Sequence, residues 1–183
     1  MNLGYRQHFP FNGQWTNFEH KIYASFSVRI QRDAAKALCA NLPVSQRVAY
    51  ITLFMDNMDV DPKLHSIRED LHDRWKPGMK IHHSFGVRTK SYRCFAINKC
   101  ISTQKIEIKV YSIDENDFLS NSYTLIENGS PYVFRVFVDS KMLSEDEINI
   151  LAKNDGFDST KDFFRWFDKP FKGKIIHWTD LRY

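Results

Sequence analysis

The alternation of apolar and polar residues in the second half of the chain predicts a series of β-strands. In Lys105–Val110, Ile106, Ile108 and Val110 share one face of an extended chain, and the charged residues share the other. Shorter alternating or aromatic-rich runs bounded by turn residues predict the remaining strands. The predicted strands are Leu3–Phe9, Met79–Ser84, Arg93–Ile97, Thr103–Ile113, Tyr123–Ile126, Tyr132–Asp139 and Lys174–Trp178.

Helix-start signals and helix-favouring residues predict several helices between these strands. Thr16–Glu19 and Ser144–Glu147 each have the form of a capping box, in which a hydroxyl and a glutamate satisfy two backbone N–H groups reciprocally. The second box starts a predicted helix Glu145–Asn154, which Gly156 is expected to end in the left-handed conformation. Further helices are predicted over Asp33–Leu42, Ser45–Met55 and Thr160–Phe167.

The predicted helix Ser45–Met55 has apolar residues that we expect to face the core. They are Val48, Ile51, Leu53 and Phe54. The packing of the whole inserted segment against the barrel, without a further role, is the simpler interpretation. A wall over a binding pocket and an oligomer contact are the alternatives.

The composition is that of a globular protein, with 43% hydrophobic and 15% aromatic residues. A length of 183 residues suits one domain with a sizeable core, so we predict a single domain over residues 1–183. No apolar run approaches the roughly 20 residues that span a bilayer, and the first eleven residues lack the apolar segment of a signal peptide. We therefore expect a cytoplasmic protein without a membrane partner. The three scattered cysteines favour free thiols over disulfides or zinc ligands.

The densest group of chemically versatile residues is the stretch Lys63–Arg68. If it is extended, Lys63 and Ser66 lie on opposite faces, but a bend at Lys63 would let its ammonium swing toward the Ser66 hydroxyl. A desolvated lysine has a lowered pKa and can take a proton from a hydroxyl. The alternative is structural: a partly buried basic strand that enters a surface turn, with Arg68 paired to a nearby carboxylate. We expect Lys63, as a pocket residue, to matter for activity and little for stability.

This stretch resembles the signature of the ASCH family within the PUA-like superfamily, Gly-x-Lys-x-x-x-x-Arg followed by an aromatic residue, Lys-x-Gly and a strand. Asp61 stands where the family has Gly, and Ser66 stands where its amidohydrolases have Thr. The resemblance resumes near the C-terminus, at Asp155–Ser159 and Ile175–Trp178. The matching residues of the signature are Lys63, Leu64, His65, Ser66, Ile67 and Arg68, with Trp75, Lys76, Pro77 and Gly78.

The resemblance implies an α+β fold: a small mixed PUA-like β-barrel flanked by helices, here with a helical insertion over residues 23–61 after the first helix. It implies a pocket in which Lys63 is the general base and Ser66 the nucleophile. Asp155, shorter than the family's glutamate, would hold the lysine or donate to the leaving amine. The same resemblance suggests Arg68, Tyr5 and Trp75 as substrate-binding residues. Asp155 is equally well explained as a turn former beside Gly156. We expect neither a cofactor nor a metal.

The net charge of +4 is unevenly distributed. The segment from Lys76 to Lys109 carries +7 and the remainder of the chain −3. Such a segment suits an anionic partner, although the solvated face of an ordinary strand pair gives the same pattern. The predicted nucleic-acid-binding residues are Lys76, Lys80, Arg88, Lys90 and Arg93.

These observations lead to recognition of RNA or a modified nucleoside, with hydrolysis of the amide of an N4-acylated cytidine as the specific chemistry that the resemblance implies. A PUA-like RNA-binding module without chemistry is an alternative. An ASCH-type ribonuclease is another, for which Lys63, His65 and His72 offer acid and base groups. The oligomeric state stays open.

Overall fold

The computed structural model describes residues 1–26, 36, 39–56, 60–112, 122–127 and 130–183. Its fold is a mixed α+β arrangement, as the sequence predicts. The helices of the described residues are α1 (Phe18–Ala24), α2 (Val44–Asp56), α3 (Glu145–Asn154) and α4 (Thr160–Trp166). The strands are β1 (Asn2–Tyr5), β2 (His65–Arg68), β3 (Lys80–Phe85), β4 (Arg93–Lys99), β5 (Ser102–Ser112), β6 (Tyr123–Glu127), β7 (Ser130–Val138), β8 (Lys141–Met142) and β9 (Phe171–His177).

The strands form two sheets. The larger sheet is antiparallel and curled, with the order β2-β9-β5-β7-β6 and with β8 paired to β7. The smaller sheet has the order β1-β3-β4, in which β1 runs parallel to β3. In the larger sheet, β2 pairs with β9 alone among the described strands, so the signature stretch forms a sheet edge.

The core is formed where helices α3 and α4 pack against the inner face of the larger sheet. Ile148 and Leu151 of α3 and Phe163 and Phe164 of α4 are inaccessible to solvent. The Phe164 ring stacks on Phe134 of β7, with their centroids 4.2 Å apart. This packing fixes the C-terminal end of α3 close to the β2 edge.

The capping box predicted at Ser144 is confirmed, and the one predicted at Thr16 is wrong. Ser144 and Glu147 make both reciprocal bonds at the start of α3. At α1 the N-cap is Asn17, in the left-handed conformation with φ 53° and without a side-chain cap. The Thr16 hydroxyl donates instead to the Arg6 carbonyl, and Glu19 forms an ion pair outside α1. Partners outside α1, the Arg6 carbonyl and Arg93, thus take the place of the predicted capping bonds.

Two other predictions need correction. The first strand ends at Tyr5, four residues before Phe9. Helix α2 forms where it is predicted, but Val48 and Leu53 are 73% and 62% exposed, and Phe54 is the residue of that set that is buried. Half of the predicted helix Asp33–Leu42 lies outside the described residues. Residues 39–42 are described and form a turn, with the Leu42 amide donating to the Cys39 carbonyl at 2.9 Å, so the helix does not extend to Leu42.

Candidate functional site

Two buried lysines hold the loop that follows α3. Lys63, just before β2, donates to the carbonyl of Asp155 and, at 2.5 Å, to its carboxylate Oδ1. Lys21 of α1 donates to the Gly156 carbonyl at 2.9 Å and pairs with Asp158 at 2.5 Å. Lys63 is 2% exposed and Lys21 5%. The carbonyls at a helix C-terminus lack helical partners and carry partial negative charge, so both ammonium groups stabilise this end of α3.

Gly156 is required for this arrangement. It has φ +88°, and a Cβ atom there would lie 3.1 Å from Lys63 Cδ and 3.2 Å from the Phe18 ring. This confirms the left-handed glycine predicted after the helix. Lys63 lies before the strand, but its ammonium reaches Asp155, so the expected hydrogen bond to the Ser66 hydroxyl is not formed.

The ionisation states of this pair are set by burial and by each other. Burial lowers the pKa of Lys63 to about 8, although the attraction of Asp155 opposes that shift. Burial disfavours the charged form of Asp155, but Lys63 and His65 together hold its pKa below the usual range. A neutral lysine keeps two N–H donors, which match the two acceptors on Asp155, and gains a lone pair. With a pKa of about 8 the lysine is mostly protonated at neutral pH, and its minor neutral fraction keeps these hydrogen bonds.

Asp155 also closes the free edge of β2. Its Oδ1 accepts from the Ile67 amide at 3.3 Å and lies 3.6 Å from His65 Nδ1. His65 Nε2 in turn contacts the Tyr183 hydroxyl at 2.8 Å. Asn154 also donates to that hydroxyl. In the tautomer in which Tyr183 donates to His65 Nε2, the ring hydrogen lies on Nδ1 and faces Asp155.

Ser66 points to the opposite side of β2 from His65. It is fully buried, and its Oγ has no hydrogen-bond partner of standard geometry in the described part of the chain. Its hydroxyl nevertheless stabilises the ionised form of Tyr5, although burial keeps the pKa of Tyr5 far above its ordinary value. The hydroxyl of Tyr5 contacts His83 Nδ1 at 2.9 Å. Ser66 is thus a buried hydroxyl on the Tyr5 side of β2.

The predicted substrate-binding residues lie in two places. Arg68 lies over the Tyr5 ring, with 5.2 Å between its guanidinium carbon and the ring centroid, and donates to the Gly4 carbonyl. Trp75 is 4% exposed and belongs to the hydrophobic core. Its carbonyl accepts from Lys174, at the other end of β2 from Lys63.

The five predicted nucleic-acid-binding residues do not form one cluster. Lys80 begins β3, whereas Arg88 and Lys90 lie in the turn after it, about 16 Å from the first residue of the strand at the usual rise per residue. Arg93 makes two hydrogen bonds to Glu19, at 2.8 and 2.6 Å, and Lys76 pairs with Asp73. Two of the five cations are therefore already matched by a carboxylate.

An open groove of about 600 Å³ lies at the far end of β2, on the outer side of the larger sheet. Lys174 lies within it and pairs with Asp73 and Asp70. The residues that line it are Asp70, Leu71, Asp73, Lys105, Ile106, Glu107, Phe137, Ser140, Lys172, Gly173 and Lys174. Since most of these residues are far apart in sequence, no local pattern predicts the groove.

Sequence reasoning also missed buried histidines that surround the site. His83 lies between Tyr5 and Asn98, and His177 pairs in register with His65. Both ring nitrogens of His177 lack partners in the described residues. For His83 the sequence does contain a signal: in the adjacent pair His82-His83, strand alternation places one of the two side chains in the interior. Within the same residues, no group of three or more His, Cys, Asp or Glu is placed to hold a metal ion.

These histidines predict acid destabilisation. Burial lowers the pKa of His83 to about 4 and that of His177 to about 3, and it lowers the pKa of His65 as well. The unfolded chain takes up these protons near pH 6.5, whereas the folded chain does not until about pH 4. The melting temperature should be insensitive to these residues above pH 6.5 and fall by several degrees toward pH 4. A His177→Phe variant, measured over the same range, should show a shallower fall; an unchanged slope would contradict this assignment.

Comparison of the chain with known protein families, with curated proteins and with solved structures finds no match. Among the described residues, no helix is both long and apolar enough to cross a membrane.

Proposed function

We propose that this chain recognises RNA or a modified nucleoside and hydrolyses the amide of an N4-acylated cytidine, as its resemblance to ASCH amidohydrolases implies. The observation that carries this proposal is the buried Lys63–Asp155 pair, in which the amine has a pKa of about 8. The lysine and the Ser66 hydroxyl, which has no hydrogen-bond partner of standard geometry among the described residues, are three residues apart on the strand edge that Asp155 closes.

The proposed reaction gives Lys63, Ser66 and Asp155 one role each: acid–base catalyst, nucleophile and positioning residue. In this structure Lys63 donates to Asp155 and not to Ser66, so the proposed step requires the two groups to come within hydrogen-bond reach when the substrate binds. Neutral Lys63 then takes the proton of Ser66, whose Oγ attacks the acyl carbon. The protonated lysine then gives that proton to the departing exocyclic nitrogen as the C–N bond breaks, which releases cytidine and leaves an acyl-serine ester. Water hydrolyses the ester, giving the carboxylic acid and free Ser66. Asp155 orients the lysine through two hydrogen bonds throughout.

Substrate entry involves Arg68 in this proposal. Ser66 and Tyr5 are buried, and the half-buried guanidinium of Arg68 lies over the Tyr5 ring. When Arg68 swings away, its charge can contact an oxygen of the substrate while the exposed Tyr5 ring offers a face for the base.

Ser66→Ala tests the proposal without disturbing the fold. Because no described group hydrogen-bonds the Ser66 hydroxyl, its loss should change the free energy of unfolding by less than about 1 kcal/mol. Release of cytidine from N4-acetylcytidine, followed by chromatography, should fall by about 10³-fold or more.

Ser102→Ala is the matched control. Ser102 is also a buried strand serine whose Oγ lacks a partner in the described residues, but it lies on β5, beside His177. It should keep full turnover. Equal turnover by the wild type and both variants, or none by the wild type, would refute the nucleophile assignment.

The second candidate is an RNA-binding module without chemistry. Exposed cations such as Lys80, which forms no ion pair with a carboxylate among the described residues, are the observation that favours it. Such a module would bind RNA with an affinity that falls steeply with salt and would release no cytidine. For the ribonuclease alternative, the two histidines lie apart. His65 is buried at the start of β2, whereas His72 is exposed in the turn after the strand.

A further inference from the structure

The outer face of the larger sheet gathers cations and aromatic rings that are widely separated in sequence. We call the group Lys105, Lys109, Tyr111, Arg135, Phe137 and Lys172 the basic sheet face. Lys109 pairs in register with Arg135, and Glu107 lies opposite both Phe137 and Lys172. Strand alternation therefore places these side chains together on the face opposite the hydrophobic core.

The charge of this face favours an anionic ligand. Among the described residues, its four cations lie near two carboxylates: Glu107, which pairs with Lys172 at 3.1 Å, and Asp139, which accepts from the Lys105 amide at 2.8 Å. The carboxylates in the adjoining groove, Asp70 and Asp73, are engaged by Lys174. A positive excess thus remains on the sheet beside the groove.

The aromatic rings favour a ligand with accessible bases. Tyr111 is 37% exposed, and Phe137 is partly exposed and lines the groove. Lys109 Nζ lies 4.9 Å from the centroid of Phe137, and the guanidinium carbon of Arg135 lies 5.6 Å from that of Tyr111. The Lys109 side chain can swing toward a phosphate and leave the Phe137 ring face to a base, whereas the Nε atom of Arg135 is buried. Bases in single strands stack well on aromatic side chains.

We propose that the basic sheet face binds single-stranded RNA, with phosphates on its cations and unpaired bases on Phe137 and Tyr111. This inference rests on the proposed recognition of RNA and assigns it to a surface other than the β3–β4 hairpin. Lys105 and Lys109 are four residues apart on β5, about 13 Å at the usual strand rise, so the cations follow several phosphates rather than one. A duplex hides its base faces and would leave the rings unused.

Fluorescence anisotropy with a labelled ten-nucleotide single-stranded RNA tests this assignment on the full chain. A double variant, Lys105→Ala with Lys172→Ala, should bind about tenfold more weakly and lower the slope of log affinity against log salt by about 1.4, since each phosphate contact on a single strand contributes about 0.7. Phe137→Leu should also weaken binding by about tenfold but leave the salt slope unchanged. Tyr111→Leu serves the same purpose if Phe137→Leu does not fold.

The matched control removes two exposed charges from the hairpin, with Arg88→Ala and Lys90→Ala. It should leave affinity and slope unchanged. The proposal is overturned if the hairpin variant weakens binding and the sheet variants do not. It is also overturned if a duplex RNA binds equally well and Phe137→Leu has no effect, since that result indicates attraction to any polyanion.

Turnover of free N4-acetylcytidine by the same variants separates the two proposals. The nucleoside has no phosphate, so the sheet variants should hydrolyse it at the wild-type rate. Turnover without RNA binding would overturn the sheet assignment and leave the hydrolase proposal standing. RNA binding that depends on the basic sheet face, without turnover of the nucleoside, would overturn the hydrolase proposal and support the sheet assignment.

Discussion

Lys63→Ala is expected to lower the free energy of unfolding by about 3–5 kcal/mol, because it leaves the Asp155 carboxylate buried without its counter-ion. For a chain of this length, the melting temperature should fall by roughly 10 °C. Sequence reasoning predicted little loss of stability for Lys63 as a pocket residue; its 2% exposure and its contacts at the end of α3 reverse that expectation. Urea unfolding of the purified variant measures the change.

Two further variants show whether burial is the cause. Lys141 and Glu147 form an exposed pair with the same 2.5 Å separation as Lys63 and Asp155, so Lys141→Ala should cost less than about 1 kcal/mol. Combining Lys63→Met with Asp155→Asn removes both buried charges and keeps an acceptor for the Ile67 amide, and should restore more than half of the loss. A double variant as unstable as the sum of the two single variants would show that the charges are uncoupled.

Gly173→Ala is the second substitution with a large expected effect. A Cβ atom at this position of β9 would lie 2.3 Å from the Arg68 carbonyl oxygen and 2.8 Å from the Phe171 ring. Because the closest atom belongs to the backbone of β2, the two strands must separate, and the expected cost is about 3 kcal/mol, the upper end of the usual range for overpacking. Thermal unfolding measures it, and faster hydrogen exchange of the Ile67 amide should show that β2 has loosened.

Gly4→Ala is the matched control for this substitution. Gly4 is also a strand glycine, but its added Cβ would contact the movable Val87 side chain at 3.1 Å. It should change stability by less than about 1 kcal/mol. Equal melting temperatures for the two variants would mean that β2 and β9 accommodate the extra carbon.

The strands were predictable because their patterns are local. Alternation in Lys105–Val110 and the capping box at Ser144 depend on neighbours in sequence, and both are confirmed. Thr16 shows the limit of that approach: its hydroxyl has a partner on Arg6, ten residues earlier, which no local pattern encodes. The same holds for Val48, whose exposure depends on how α2 is placed.

Of the three residues proposed for the candidate site, the structure brings two into contact, and sequence reasoning did not predict what those contacts are. The family resemblance suggested Lys63, Ser66 and Asp155 together, and the structure brings Lys63 to Asp155. It could not indicate that the lysine completes a helix end, because that depends on where α3 packs. Basic residues were counted along one segment, whereas the basic sheet face joins Lys105 to cations from β7 and β9.

The carboxylate of Asp155 has a consequence for association between chains. An edge strand with open N–H groups can template pairing with a strand of another molecule. On β2 the Ile67 amide is such a group, and it donates to the Asp155 carboxylate at the end of α3. Until α3 docks during folding, that edge is open to intermolecular pairing. Docking of the α3 end thus protects β2 from pairing with a strand of another molecule.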